Sequence, residues 1–271
     1  MIEEKPTVVI TGVSGYLGCY VALYFLKDGG FNVRGTVRNL NDETKLSPIK
    51  KACGDLYSQL TLIQADLLDE RSIFAAIKGA VYVVHIASPC PIHPPEDEME
   101  VIRPAVDGTI SVMKASQLYK VKRVVLTSST NTIKECKAEN RPKNFTFNEE
   151  NWSDTDGNHL SAYAKSKTLA ERAAWDFQKK LPESERFELV VINQGFMFGP
   201  TFVTGEFTSG SLIKKFMTGH LPFYPRVRFG LSDVRTVAFA HLQALKVPEA
   251  RNQRFAIVNE HFWVIDIIKA L

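Results

Sequence analysis

The apolar run Thr7–Thr11 ends directly on Gly12, and glycine recurs at Gly15 and Gly18 as a helical pattern begins. A continuous apolar run flanked by polar residues reads as a strand covered on both faces, which is the situation in a parallel sheet. Glycines at that strand-to-helix junction permit a tight turn and close approach of a ligand to the backbone, and they let the helix pack close to the sheet. Few folds place such a turn after the first strand, and the rest of the chain keeps the same rhythm. Residues 16–27 read as a helix stopped by Gly29-Gly30. Asn32–Val37, Leu60–Gln64 and residues 81–86 read as strands, residues 103–119 as a helix and residues 123–127 as a fifth strand. Ala162–Lys180 forms a long amphipathic helical pattern, followed by a sixth strand over residues 188–193.

Strands alternating with helices predict an α/β fold with a doubly wound parallel sheet, right-handed crossovers and a ligand crevice at the carboxyl ends of the strands. Beyond residue 194 the rhythm breaks. Residues 195–231, rich in Gly, Pro, Phe and Thr, read as irregular cover; residues 234–247 read as a helix, 254–258 as a strand and 262–271 as the start of another helix. The expected division is a Rossmann dinucleotide-binding domain over 1–194 and a smaller substrate-binding region over 195–271, with the two free to interleave.

With 271 residues, the chain can bury a full core without disulfides or structural metal, and no metal site is expected. A net charge of +3 with no basic run argues against nucleic acid and membrane surfaces, leaving a small molecule as the expected partner of a monomer or homodimer. Cys19, Cys53, Cys90 and Cys136 are widely spaced with no CxxC pair, and the start MIEEKP lacks the apolar segment of a secretion signal. Both point to reduced thiols and a cytoplasmic protein, in which the sequons at Asn144 and Asn151 go unused. The chain stops on the apolar pattern VIDIIKAL, read either as a docked terminal helix or as the end of a truncated chain.

The glycine turn predicts phosphate binding at the N-terminus of the following helix, where free N–H groups and the helix dipole favour an anion. The second strand leads into Arg38, where a site for NAD wants an acidic residue to hold the ribose hydroxyls. A guanidinium there suits a 2′-phosphate, with Lys45 a turn or two later, so NADPH is the expected cofactor; the alternative is a solvated surface arginine. Asp66, after the third strand, can reach an adenine amino group or cap a turn before Leu67, and one role does not exclude the other. His85, in the fourth strand, reads as a structural histidine rather than a base.

Tyr163 and Lys167 stand four apart at the start of the long helix and so project from one face. A neighbouring ammonium and the positive charge of an oxidised nicotinamide both favour tyrosinate, which predicts a phenol pKa lowered towards the working pH. The fifth strand ends Thr127-Ser128-Ser129, bringing hydroxyls to the same edge of the sheet as the glycine turn. Either serine can donate to a carbonyl oxygen, or both can serve strand-end turn chemistry.

Together GVSGYLG, TVR ending at Arg38, ADLLD at 65–69, VVHIASP at 83–89, TSS at 127–129 and YAKSK at 163–167 resemble the extended short-chain dehydrogenase/reductase family. FGP at 198–200 and SDVR with AFAH at 232–241 carry the resemblance along essentially the whole chain, nearest to the branch of dihydroflavonol and cinnamoyl-CoA reductases. The resemblance implies Ser129, Tyr163 and Lys167 as catalytic residues, with Lys167 also gripping the nicotinamide ribose. It implies Gly12, Gly15, Gly18, Arg38, Lys45, Asp66, Ala87 and Ser88 as cofactor contacts, to which the intervening Tyr16 and Leu17 and the adjoining Leu67 are added. Pro89, Ile92, Ile133, Met197, Phe223 and Tyr224 become candidates for the substrate wall by analogy with the family's loops.

Three features depart from the family pattern. The turn after the sixth strand, which borders nicotinamide and substrate in the family, reads Asn193-Gln194-Gly195-Phe196 where a proline is usual; Asp107 stands where many members carry Asn; and members usually continue some tens of residues further, so part of the substrate domain is expected to be absent. The function these features imply is NADPH-dependent reduction of a small, largely apolar aldehyde or ketone. Two readings compete with it. A nucleotide-sugar epimerase or dehydratase holding NAD wants an acid at Arg38, and a non-catalytic NADP-binding redox sensor has no need of an intact Ser-Tyr-Lys trio.

Overall fold

The structure, a computed structural model, describes residues 4–135, 145–156, 159–204, 207–219 and 224–270. Strands β1 (Thr7–Thr11), β2 (Asn32–Val37), β3 (Leu60–Gln64), β4 (Tyr82–His85), β5 (Arg123–Ser129), β6 (Glu188–Gln194) and β9 (Arg254–Ile257) form one sheet. Its order is β3-β2-β1-β4-β5-β6-β9, and every pairing is parallel. The order reverses between β1 and β4, so a crevice opens there at the carboxyl ends of the strands.

Alternation along each strand divides the core between two faces. On β1, Val8 and Ile10 pack with α1 (Tyr16–Asp28), α2 (Glu43–Cys53) and α7 (Val234–Lys246). Val9 faces the other way, into the layer of α3 (Glu70–Ile77), α4 (Met99–Leu118) and α5 (Ala162–Lys180). The buried Arg123 at the start of β5 anchors one end of this arrangement. It pairs with Glu188 at 2.6 Å and donates to the carbonyls of Ala244, Leu245 and Val247, acceptors that the end of α7 leaves without helical partners.

The second half is more regular than its composition suggests. Where the sequence predicts irregular cover, β7 (Phe196–Phe198), α6 (Thr208–Met217) and β8 (Arg228–Asp233) form, and β10 (Glu260–Trp263) precedes α8 (Val264–Ala270). A small sheet in the order β10-β8-β7 results. Short strands in a Gly- and Phe-rich stretch show neither clear period, which is why the pattern misses them. Residues beyond 194 serve both sheets: β7, β8 and β10 make the small one, while α7 and β9 return to the large one. Ser232 stitches the two together, accepting from the Gly195 N–H at 2.7 Å and donating to the Ile257 carbonyl at 2.5 Å. The helix expected from residue 103 begins earlier, at Met99. Among the described residues no helix is long and apolar enough to cross a membrane.

Candidate active site

The glycine turn is built around Gly12 and Gly18. Gly12 has φ of 73°, a conformation that L side chains rarely adopt, and a Cβ on it would press on Ala87 at 3.1 Å. A Cβ on Gly18 would lie 2.8 Å from Val13 Cα and closer still to the Gly12 carbonyl oxygen. Gly15 precedes α1 with no side-chain cap, and the first turn, which holds Tyr16, Leu17 and Gly18, carries no acidic residue. By contrast, the starts of α2, α3, α5 and α7 are capped by Asp42, Asp69, Ser161 and Asp233. The uncapped α1 therefore keeps N–H donors and its positive dipole end for an anion.

Around this turn the other expected contacts take their places. Thr11 Oγ1 accepts from the N–H groups of Ile86 and Ala87, both at 3.0 Å, fixing the segment that carries Ser88 beside the glycine loop. His85 lies behind it, 2.9 Å from Thr11 through Nδ1 and buried, and desolvation pulls its pKa down to about 3. It is a neutral structural residue. Arg38 follows β2 directly with its side chain exposed and, among the described residues, in no ion pair; Lys45 is exposed in the first turn of α2. One Asp66 oxygen accepts from the Leu68 N–H at 2.9 Å, so this residue does cap a turn, and Leu67 packs against Gly108 of α4.

The catalytic candidates converge at the next edge of the sheet. Strand β5 runs two residues further than expected, through Ser128 and Ser129, whose side chains therefore take opposite faces. Ser128 turns away to Glu171 at 2.5 Å, whereas Ser129 lies toward the Tyr163 phenol, where it favours the ionised form, and accepts from the Asn131 N–H at 3.2 Å. Lys167 is buried, donates to the Thr127 carbonyl at 3.2 Å, and has its pKa pulled down to about 8 by burial. The lowered phenol pKa expected from sequence is corrected here. Burial raises the Tyr163 pKa, the charge of a neighbouring Cys90 adds to the rise, and the Ser129 hydroxyl only partly opposes it.

Tyr163, Lys167 and Thr127 open onto a cavity of about 280 Å³. Ile92 and Met197 line it as expected, as does Gln194 at the end of β6, together with Phe207 and Thr208 at the start of α6 and one residue not foreseen as wall, Cys90. The Cys90 thiol lies 3.1 Å from the Thr208 hydroxyl, across the mouth of the cleft. Other wall candidates fall elsewhere. Ile133 is buried, Tyr224 lines a separate groove with Trp263, and Phe223 lies outside the described residues. Asp107 is exposed on α4 and paired with Arg103 at 3.4 Å. Two tyrosines fasten the far wall to α1, Tyr16 donating to the Gly199 carbonyl at 2.9 Å and Tyr20 to that of Pro200 at 3.0 Å. Cys19 and Cys53 are buried free thiols with pKa values pushed up by burial to about 12 and about 11, Cys90 is free and exposed, and Cys136 lies outside the described residues.

A glycine turn at the switch point of a parallel sheet, beside a Ser-Tyr-Lys group on an apolar cleft, defines a class of nucleotide-dependent enzymes. Residues 8–257 match the NAD dependent epimerase/dehydratase family, and the chain belongs to that family, the extended short-chain dehydrogenase/reductases. Its relatives fall in the reductase branch. It is 34% identical over 252 residues to cinnamoyl-CoA reductase 2 of Arabidopsis thaliana, covering 92% of this chain and 72% of that one. To dihydroflavonol 4-reductase of the same plant it is 34% identical over 251 residues, 90% of this chain and 61% of that enzyme. The yeast methylglyoxal/isovaleraldehyde reductase Gre2, solved with NADPH, superposes with a TM-score of 0.82 at 28% identity, covering 96% of this chain and 80% of Gre2. The chain is an oxidoreductase.

Proposed function

We propose that this chain is an NADPH-dependent reductase of small, largely apolar aldehydes or ketones, with Tyr163 as proton donor. The observation that carries the reading is that Tyr163 and Lys167 line one apolar cavity beside the glycine turn, with Ser129 buried behind the Tyr163 phenol. The residues present fit the cofactor. Gly18 leaves backbone where a side chain cannot stand, α1 offers uncapped N–H donors, and Arg38 is an exposed cation at the end of β2 with no other ion-pair partner among the described residues. Gly12, Gly15, Tyr16, Leu17 and Gly18 would hold the pyrophosphate, Arg38 and Lys45 the 2′-phosphate, Asp66 and Leu67 the adenine end, and Ala87, Ser88, Tyr163 and Lys167 the nicotinamide ribose.

When bound, NADPH supplies hydride to the carbonyl carbon. Ser129 and Tyr163 hold the carbonyl oxygen, and Tyr163 passes its proton to the oxygen as negative charge develops. Because burial raises the phenol pKa, Tyr163 enters the reaction protonated at neutral pH, the state that reduction requires. Lys167, mostly protonated below about pH 8, stabilises the tyrosinate left behind. Apart from Lys167, no cation lines the cavity among the described residues, so a sugar-nucleotide diphosphate finds no partner there. With apolar walls, each methylene of substrate changes the rate by only about 1–3 kcal/mol, which favours breadth of acceptance.

The test follows loss of the reduced-nicotinamide absorbance with NADPH and a panel of aromatic, aliphatic and sugar-nucleotide carbonyls, compared by kcat/KM. Aldehydes or ketones are expected to be turned over, and Tyr163→Phe to abolish turnover with NADPH affinity little changed. Preference for a sugar nucleotide with the cofactor never released would sink the proposal, as would near-normal rates in Tyr163→Phe.

A further inference from the structure

Behind the catalytic group lies a second polar cluster with Glu171 at its centre. Glu171 follows Lys167 by one turn of α5, and its side chain is fully enclosed. Its carboxylate accepts from Ser128 Oγ at 2.5 Å, Thr132 Oγ1 at 2.9 Å, Asn193 Nδ2 at 2.8 Å and Arg254 Nε at 2.6 Å. These donors come from the end of β5, the turn after it, the end of β6 and the start of β9. Arg254 is held in turn by the carbonyls of Glu149 and Asn151, both at 2.7 Å, with its guanidinium 3.8 Å from the Trp152 ring centre. A buried carboxylate persists only with its lone pairs matched in this way.

Glu171 makes no hydrogen bond to Ser129 itself, but its partners hold that residue, Thr132 Oγ1 donating to the Ser129 carbonyl at 2.8 Å. Ser128 and Thr132, on either side of Ser129 in the chain, are both bound to Glu171 Oε2, and Asn193 Nδ2 also donates to the Ser129 carbonyl at 3.3 Å. Glu171 and Lys167 share a small polar chamber with His85, Thr109 and Ser128.

We propose that Glu171 is a positioning residue for the reaction, seating Ser129 through its flanking hydroxyls and supplying the counter-charge that keeps Lys167 protonated in its buried site. The proposal rests on the reductase reading. The titratable groups turned toward Lys167 are Tyr163 and Glu171 of its own helix, the neutral His85 of β4 and Cys90 beyond it. Helix α4 contributes only the Thr109 hydroxyl to the chamber, and β5 the Thr127 carbonyl and the Ser128 hydroxyl. Toward Glu171, β9 adds the cation Arg254 and β6 only the neutral Asn193. Burial brings the Lys167 pKa down to about 8, and the charges of Cys90 and then Glu171 oppose that fall, so loss of the Glu171 charge lowers it further.

The experiment compares wild type, Glu171→Gln and Arg254→Met by the pH dependence of kcat. Glu171→Gln is expected to move the alkaline fall in kcat to lower pH by about one unit, and to lower kcat at neutral pH by about tenfold with KM for the carbonyl little changed. Arg254→Met removes the competing cation while Ser128, Thr132 and Asn193 still match the carboxylate, so Glu171 bears more directly on Lys167 and the fall is expected to move to higher pH. Opposite shifts support the proposal; unmoved midpoints in both variants, or shifts of one sign, overturn it. If either single variant fails to fold, the double variant Glu171→Gln/Arg254→Met removes both charges and is expected to fold with the midpoint still lowered. Competitive acetylation of Lys167 across pH, read by peptide mass spectrometry, follows the same titration without turnover. A wild type that reduces no carbonyl would therefore defeat the reductase reading while leaving the titration to decide the role of Glu171.

Discussion

The same substitution at two glycines of one turn should separate folding from ligand binding. A Cβ at Gly18 would sit 2.8 Å from Val13 Cα and 3.0 Å from the Gly12 carbonyl carbon, with the carbonyl oxygen nearer still. Real Cβ atoms essentially never approach closer than 3.0 Å, and all three neighbours are backbone, so none can swing aside. Relief requires α1 to move away from the turn, disturbing Val8, Ile10 and the helix face packed on them. Overpacking of well-packed regions typically costs about 1–3 kcal/mol, and an immovable backbone neighbour puts Gly18→Ala at about 3 kcal/mol or beyond. At Gly15 φ is −81° and a Cβ meets nothing closer than 3.4 Å, so Gly15→Ala is expected to stay within about 1 kcal/mol of wild type. If Gly15 lies against the pyrophosphate as proposed, the added methyl crowds it, so NADPH affinity should fall while the fold survives. Urea unfolding with NADPH titration by protein fluorescence measures both quantities on the same samples. Gly18→Ala with an unchanged urea midpoint and unchanged NADPH affinity would refute the close-approach argument.

Arg38→Glu should reverse cofactor preference, because losing a charge-assisted pair costs about 1.5–3 kcal/mol and the new carboxylate repels the 2′-phosphate; equal NADPH and NADH affinities in wild type would remove the basis of the assignment. Arg123→Met should leave the carbonyls at the end of α7 without their buried donor, costing about 2–3 kcal/mol and lowering the melting temperature by roughly 5–10 °C, which calorimetry checks. His85 and His241 have folded pKa values pulled by burial to about 3 and about 4, below the ordinary 6.5. As pH falls below that value the unfolded chain takes up protons the fold refuses, so stability should drop by up to about 1.4 kcal/mol per pH unit per histidine until the folded values are reached. A melting temperature that does not change between about pH 7 and pH 5 would contradict this.

How much of this architecture is written locally can be seen by comparing β1 with β7. The five residues of β1 are apolar enough to be buried on both faces, and the glycines after them admit one kind of connection. Strands β4, β5 and β6 repeat the buried apolar run, and with helical patterns between strands their parallel pairing follows from chain rhythm and handedness. Strand β7 is three aromatic and sulfur-bearing residues, and it is a strand because β8 runs beside it with Phe196 opposite Leu231. Its partner lies over thirty residues away in a stretch that no period marks. The extension of β5 through Ser129 is likewise fixed by its neighbour, since Ser129 pairs in register with Gln194 of β6.

The site divides in the same way. Tyr163 and Lys167 are legible because helical spacing alone puts them on one face. The choice between Ser128 and Ser129 is not legible from residue type, and becomes so only when the pleat sends one to Glu171 and the other to Tyr163. The direction of the Tyr163 shift escapes sequence for a related reason. Spacing reveals the nearby ammonium but not the depth of burial, and here burial raises the phenol and lowers the lysine together. Glu171 is harder still. On a helix otherwise carrying Lys165, Arg172 and Asp176, an acid reads as part of a solvated face. Its partners stand 22, 39, 43 and 83 residues away, one on each of four elements. A charge satisfied by four separate elements can exist only after they have assembled, so the residue that best reports the finished site is the one with the least local signature.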